Sequence, residues 1–124
     1  MKIKEMVKLT AQNPDNFEIN LGNFLDSFYN CNIKEKKELL KEEPDSFNNI
    51  TKQSYAFIAS AVEKLCNDSG IQPPKWVFKE KYFLKEPMFA LNAQGDLRTI
   101  LLVESPNEFL VRNIFVSDNC LQRV

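Results

Sequence analysis

The sequence predicts an all-α fold: a single domain over residues 1–124, a bundle of five or six helices with an irregular aromatic-rich strap at about residues 71–96. Three observations predict it. Apolar residues recur at three- and four-residue spacing along most of the chain. Helix-start and helix-stop residues punctuate those stretches. Ten phenylalanines and an apolar fraction of 44% fit an ordered core, and 124 residues are enough to enclose one.

Residues 3–10 set Ile3, Met6 and Val7 on one side, with Lys2, Lys4, Glu5 and Lys8 around them. That is a short amphipathic helix whose lysines form a solvated face. After Pro14, Asp15 and Glu18 have capping-box spacing. Leu21, Phe24, Leu25, Phe28 and Tyr29 then make the cleanest helical stripe in the chain. Gly22 costs about 1 kcal/mol there relative to alanine, and it would let a neighbouring helix come close. Asn32 with Glu35 opens a charged surface helix in which Ile33, Leu39 and Leu40 form a narrow apolar edge. Pro44 closes it. Phe47 and Ile50 anchor the turn, and Asn49 or Thr51 caps a long helix reaching Asp68. Tyr55, Ile58, Val62 and Leu65 are its buried face, beside Ala59, Ala61 and Cys66. Gly70 supplies the left-handed stop.

Pro73, Pro74, Pro87 and Gly95 break up residues 71–96, yet Trp76, Phe78, Tyr82, Phe83, Leu84, Met88 and Phe89 fall there. A polar linker would not carry so many large apolar groups. Short helical turns with aromatics plugged into the helices are expected. A hairpin of residues 76–78 with 82–84 is the alternative, although no tight-turn signal joins them.

Residues 97–124 hold the densest apolar run, and the rest of the chain is expected to lean on them. Leu97, Ile100, Leu101, Leu102 and Val103 cover most of a helix circumference, the pattern of a core helix. Pro106 forces a break. Ser105, Pro106 and Glu108 read as the cap, first position and capping-box acid of a new helix. Phe109, Leu110 and Ile114 are its apolar face. Ser117 or Asp118 would cap a last piece ending at Val124.

Composition excludes several activities. The net charge is −1 and the pI about 5.5, which gives no general attraction to nucleic acid or anionic membrane. Apolar runs are too short for a membrane helix, and the N-terminal stretch lacks the apolar core of a signal peptide. Three irregularly spaced cysteines read as reduced thiols of a cytoplasmic protein. The chain has no histidine. Ser-His-Asp, Cys-His and His-based zinc chemistry are therefore excluded within it. No glycine-rich phosphate loop occurs, and neither a cofactor nor a metal site nor a catalytic residue is expected.

The candidate binding residues are Trp76, Tyr82 and Phe89 as an aromatic wall, with Arg98, Glu104, Arg112 and Asn113 as polar handles. The competing reading makes the aromatics core filling and pairs Glu104 with Arg112 to fix how two helices meet.

Pro74 and Trp76, Phe83-Leu84 with Pro87 and Phe89, and the run LLVESPNEFLVRNIFVSDNCLQRV carry a resemblance. So does Phe24-Leu25-Asp26-Ser27-Phe28-Tyr29. Over roughly half its length the chain resembles a poorly characterised family of small bacterial proteins. In that family's last run, Glu104, Ser105, Pro106, Phe109, Arg112, Asn113, Ile114, Phe115, Val116, Leu121 and Arg123 fill the recurring places. The resemblance implies companions of nucleotidyltransferase-type genes in toxin–antitoxin operons, and it names no chemistry.

The expected function is a non-catalytic cytoplasmic interaction module, binding a protein partner or a second copy of itself, antitoxin-like or regulatory. One alternative is a small-ligand binder or enzyme with a pocket under the strap. Another is a dimeric DNA-binding regulator using Lys2, Lys4 and Lys8.

Overall fold

Short-range chemistry decides several helix ends. A computed structural model describes residues 1–89, 105–116 and 120–121. It places α1 (Ile3–Gln12), α2 (Phe17–Tyr29), α3 (Ile33–Leu40), α4 (Lys52–Ser69) and α5 (Asn107–Leu110). Asn32 Oδ1 accepts the Glu35 N–H at 2.9 Å and Thr51 Oγ1 accepts the Ser54 N–H at 3.1 Å, each satisfying a donor that a helix start leaves free. Gly70 ends α4 at φ 70°, and the Ile71 N–H reaches back to Cys66 O at 2.8 Å. Glycine adopts that conformation without a Cβ clash.

Among the described residues the organising element is α4; most of the C-terminal run lies outside them. Ala56, Ile58, Ala59, Ser60, Ala61, Val62, Leu65 and Cys66 are all buried, so its middle is enclosed nearly all round. Ser60 Oγ donates to Ala56 O at 2.8 Å, which satisfies the one hydroxyl in that stretch. The first helix contributes Ile3, Met6 and Val7 to the same core, and α2 contributes Phe24, Leu25 and Phe28. Asn20 Nδ2 donates to Thr10 Oγ1 at 3.1 Å and ties α2 to α1. Of the apolar residues of α3 only Leu40 is fully buried, while Ile33 stands exposed.

The strap folds as two 3₁₀ turns, Lys75–Phe78 and Glu80–Tyr82, and the hairpin alternative does not form. Trp76 and Tyr82 turn inward, with Trp76 Nε1 donating to Leu40 O at 3.2 Å at the end of α3.

The described part is mostly helical, with one exception to the all-α expectation. Strand β1 (Met88–Phe89) pairs in parallel with β2 (Ile114–Phe115), Met88 opposite Ile114 and Phe89 opposite Phe115. The reason lies in Asn113, which takes φ 67°. Asparagine tolerates the left-handed region better than other residues with a Cβ. The chain turns out of α5 there, so Ile114 joins a strand instead of the helix face expected for it.

Two expected caps are replaced by other contacts. Asp15 lies in a 3₁₀ turn, Pro14–Asn16, and Asn16 precedes α2 without a side-chain cap. Pro106 occupies the position before α5, and no side chain caps it. Ser105 Oγ instead donates to Val116 O and accepts the Val116 N–H, both at 2.9 Å. A buried hydroxyl that satisfies a donor and an acceptor across the chain competes successfully with a local cap. Glu108 faces α4, where it accepts from Asn67 Nδ2 at 2.9 Å. The helix expected at residues 97–104 lies outside the described residues; of the piece expected over 117–124 only Cys120 and Leu121 are described, and they form a turn.

Candidate functional site

Arg112 leaves the end of α5 and is completely buried, an unusual place for a permanent cation. Its Nη1 meets Glu63 Oε1 of α4 at 2.6 Å and donates to Glu108 O at 2.8 Å. Its Nη2 donates to Val77 O at 2.6 Å. The Phe83 ring centroid lies 4.7 Å from the guanidinium carbon and the Phe78 centroid 5.9 Å away. One side chain thus joins α4, α5 and the first 3₁₀ turn of the strap. Nε has no hydrogen-bond partner among the described residues. Among the described residues the carboxylate on Arg112 is Glu63; the Glu104 that the sequence set against it lies outside them.

A second node forms on Glu43, between α3 and α4. It accepts from Lys79 Nζ at 2.6 Å and from Tyr82 Oη at 2.7 Å, with Lys81 Nζ 3.4 Å away. Burial alone would raise the Glu43 carboxyl. The hydrogen bonds from Lys79 and Tyr82 and the two lysine charges outweigh it and hold the group below its ordinary value. Burial and then the Glu43 contact push the Tyr82 phenol far above its ordinary range, so it stays a donor.

A carboxyl depressed in the folded state stabilises above its unfolded value and loses that contribution as pH falls through the folded one. Glu43→Gln is accordingly expected to cost about 1–2 kcal/mol near neutrality. The gap between the two proteins should close below pH 4.5. Urea unfolding of both across pH 7 to 3 checks it; a gap that persists in acid would remove Glu43's charge from the account.

Trp76 and Tyr82 are 7% and 2% exposed, and their rings meet at 5.6 Å. Both fill the core, and Tyr82 also lines a small cleft with Ser46, Lys52, Tyr55 and Lys81. Phe89 is half-buried and stacks on Phe115 at 4.6 Å, so it belongs to the strand pair. Asn113 Nδ2 donates to Leu84 O at 3.3 Å and its carbonyl accepts the Met88 N–H at 2.9 Å, which makes it a joint between strap and C-terminal section. Arg98 and Glu104 lie outside the described residues. Arg112 and Asn113 meet the described part of the strap through backbone carbonyls.

Glu63, Glu43 and Phe83 are partners that sequence reasoning missed. Glu63 had one usable signal: it is an acid flanked by Ala59, Val62 and Cys66 on the most apolar helix. Burial, with Glu63 nearby, raises the Cys66 thiol to about 11, which makes it a poor nucleophile.

Several large apolar side chains stay at the surface. Phe78 is 52% exposed and faces the buried guanidinium, while Val111, which precedes Arg112 in the chain, is 60% exposed. Ile19, Ile33 and Leu9 are also exposed, on other elements. Among the described residues no group of three or more His, Cys, Asp or Glu is placed to hold a metal ion, and no helix is long and apolar enough to cross a membrane.

Comparison with protein-family models, with curated proteins and with solved structures finds no match to this chain.

Proposed function

We propose that this chain is a non-catalytic, cytoplasmic protein-interaction module. One observation carries the reading. The polar and aromatic groups that could have served a ligand, Arg112, Tyr82 and Trp76, are spent on internal contacts, while Phe78 and Val111 remain exposed beside Arg112. Water-facing aromatic and β-branched side chains around a rigid support are what a protein partner can bury. The buried ion pair keeps that support in one arrangement. Within this class, the resemblance of the C-terminal run favours a regulatory, antitoxin-like partner.

The test is retention of a partner by tagged full-length chain in its own cells, together with sedimentation of the purified chain. Val111→Glu and Phe78→Ser should each weaken retention or self-association about tenfold or more, the effect of losing a central apolar anchor. Ile19→Glu, at an exposed residue of α2, should leave it unchanged. Equal retention by all variants, with every variant folded, would move the interface elsewhere. Recovery of a lone monomer without any partner would end the proposal.

A further inference from the structure

One of the clefts among the described residues combines a buried apolar floor with unpaired cations and plays no part in the interaction reading. A cleft of about 430 Å³ lies between the second half of α3, the end of α4 and the extended residues after Gly70. Its floor is Leu40, Cys66, Ile71 and Pro74. Lys37 and Lys41, four residues apart and so on one edge of α3, stand on its rim. Neither ammonium has an ion-pair partner among the described residues. Glu38 is the single acid in the lining, so the lysines outnumber it.

An apolar floor with cations on one side has complementarity for a defined class of molecule. We infer that this cleft binds a small amphipathic carboxylate, its apolar tail on Leu40, Ile71 and Pro74 and its carboxylate between Lys37 and Lys41. The tail exchanges water for aliphatic surface, and the head meets two charges that have no ion-pair partner among the described residues. A neutral tail of the same length gains only the first contribution. A cation meets the wrong sign. Cys66 serves as floor and takes no part in covalent chemistry, since burial keeps it a thiol.

The site has a built-in reporter. Trp76 is the only tryptophan in the chain, and its indole N–H is bonded to Leu40 O, on a residue of the floor. Octanoate is therefore titrated into the full-length chain while Trp76 fluorescence and backbone amide shifts are followed.

Saturable binding is expected, with shifts centred on Lys37, Leu40, Cys66 and Ile71. Octanol should bind about tenfold more weakly, and so should octanoate to the Lys37→Gln/Lys41→Gln variant, because two partly exposed charge contacts supply about that much. Added salt should weaken octanoate and not octanol. Both lysines are exposed, so the variant should unfold at the same urea concentration as the natural chain.

Equal affinity for octanol and octanoate, undiminished binding by the variant, absence of saturation, or shifts centred on another face would each overturn the assignment. A short peptide ending in leucine that bound more tightly than octanoate would overturn it in favour of a protein C-terminus. The Phe78 and Val111 variants should bind octanoate normally, so failure here and failure of the interaction reading are separable.

Discussion

Replacing Arg112 by alanine is expected to destabilise the protein by about 3–5 kcal/mol, the usual result of removing one partner from a buried ion pair. The loss has three parts. Glu63 would keep a largely buried carboxylate with no cation against it. The carbonyls of Val77 and Glu108 would each lose a donor. The space beside Phe83 and Phe78 would open. A paired change, Arg112→Met with Glu63→Leu, removes both charges and refills part of the volume. It should recover a substantial share of the loss, because desolvating two ions costs nearly what their attraction returns. Full recovery is not expected, since the two carbonyls still lack a donor, at roughly 1–3 kcal/mol for each one left unsatisfied. Urea unfolding of the single and paired variants measures this directly. A paired variant as unstable as Arg112→Ala would show that the packing and the carbonyl contacts, and not the stranded carboxylate, dominate.

Phe109→Ala is expected to cost about 3–5 kcal/mol as well, for a different reason. Phe109 is fully buried, and its ring lies 5.2 Å from that of Phe57 on α4. Phe57 in turn meets Phe17 of α2 edge-on at 6.3 Å. The three rings run from α2 through α4 to α5, so a cavity at Phe109 removes contacts that tie the C-terminal section to the helical core. The neighbouring Leu110 is only half-buried, and Leu110→Ala should cost clearly less, about 1 kcal/mol. Chemical unfolding should remain a single transition in both. A Phe109→Ala protein that lost less than Leu110→Ala would mean that α5 is not part of the cooperative core.

Several elements were legible because their causes are local. Asn32 and Thr51 cap their helices and Gly70 stops one, each through atoms within a few residues. The stripe of Phe24, Leu25 and Phe28 is buried, as its spacing requires, although Tyr29 at its end is exposed and reaches Leu121 O at 2.9 Å. Trp76 and Tyr82 of the strap turned inward because apolar area leaves water where it can, although Phe78 stayed exposed. Ser105 shows the limit of such reasoning. Its cap spacing is correct, yet the hydroxyl found two backbone partners at Val116 instead.

The order of residues by itself determined the helices of the first seventy positions, the inward turn of Trp76 and Tyr82 and the absence of histidine chemistry. Those follow from periodicity, caps and composition, which act over a few bonds or over none. Only the tertiary structure decided that Arg112 would pair with Glu63, that Glu43 would gather Lys79, Lys81 and Tyr82, and that Ile114 would leave a helix for a strand. Each depends on groups dozens of residues apart meeting in the folded chain, and no local pattern encodes which charge will need which partner.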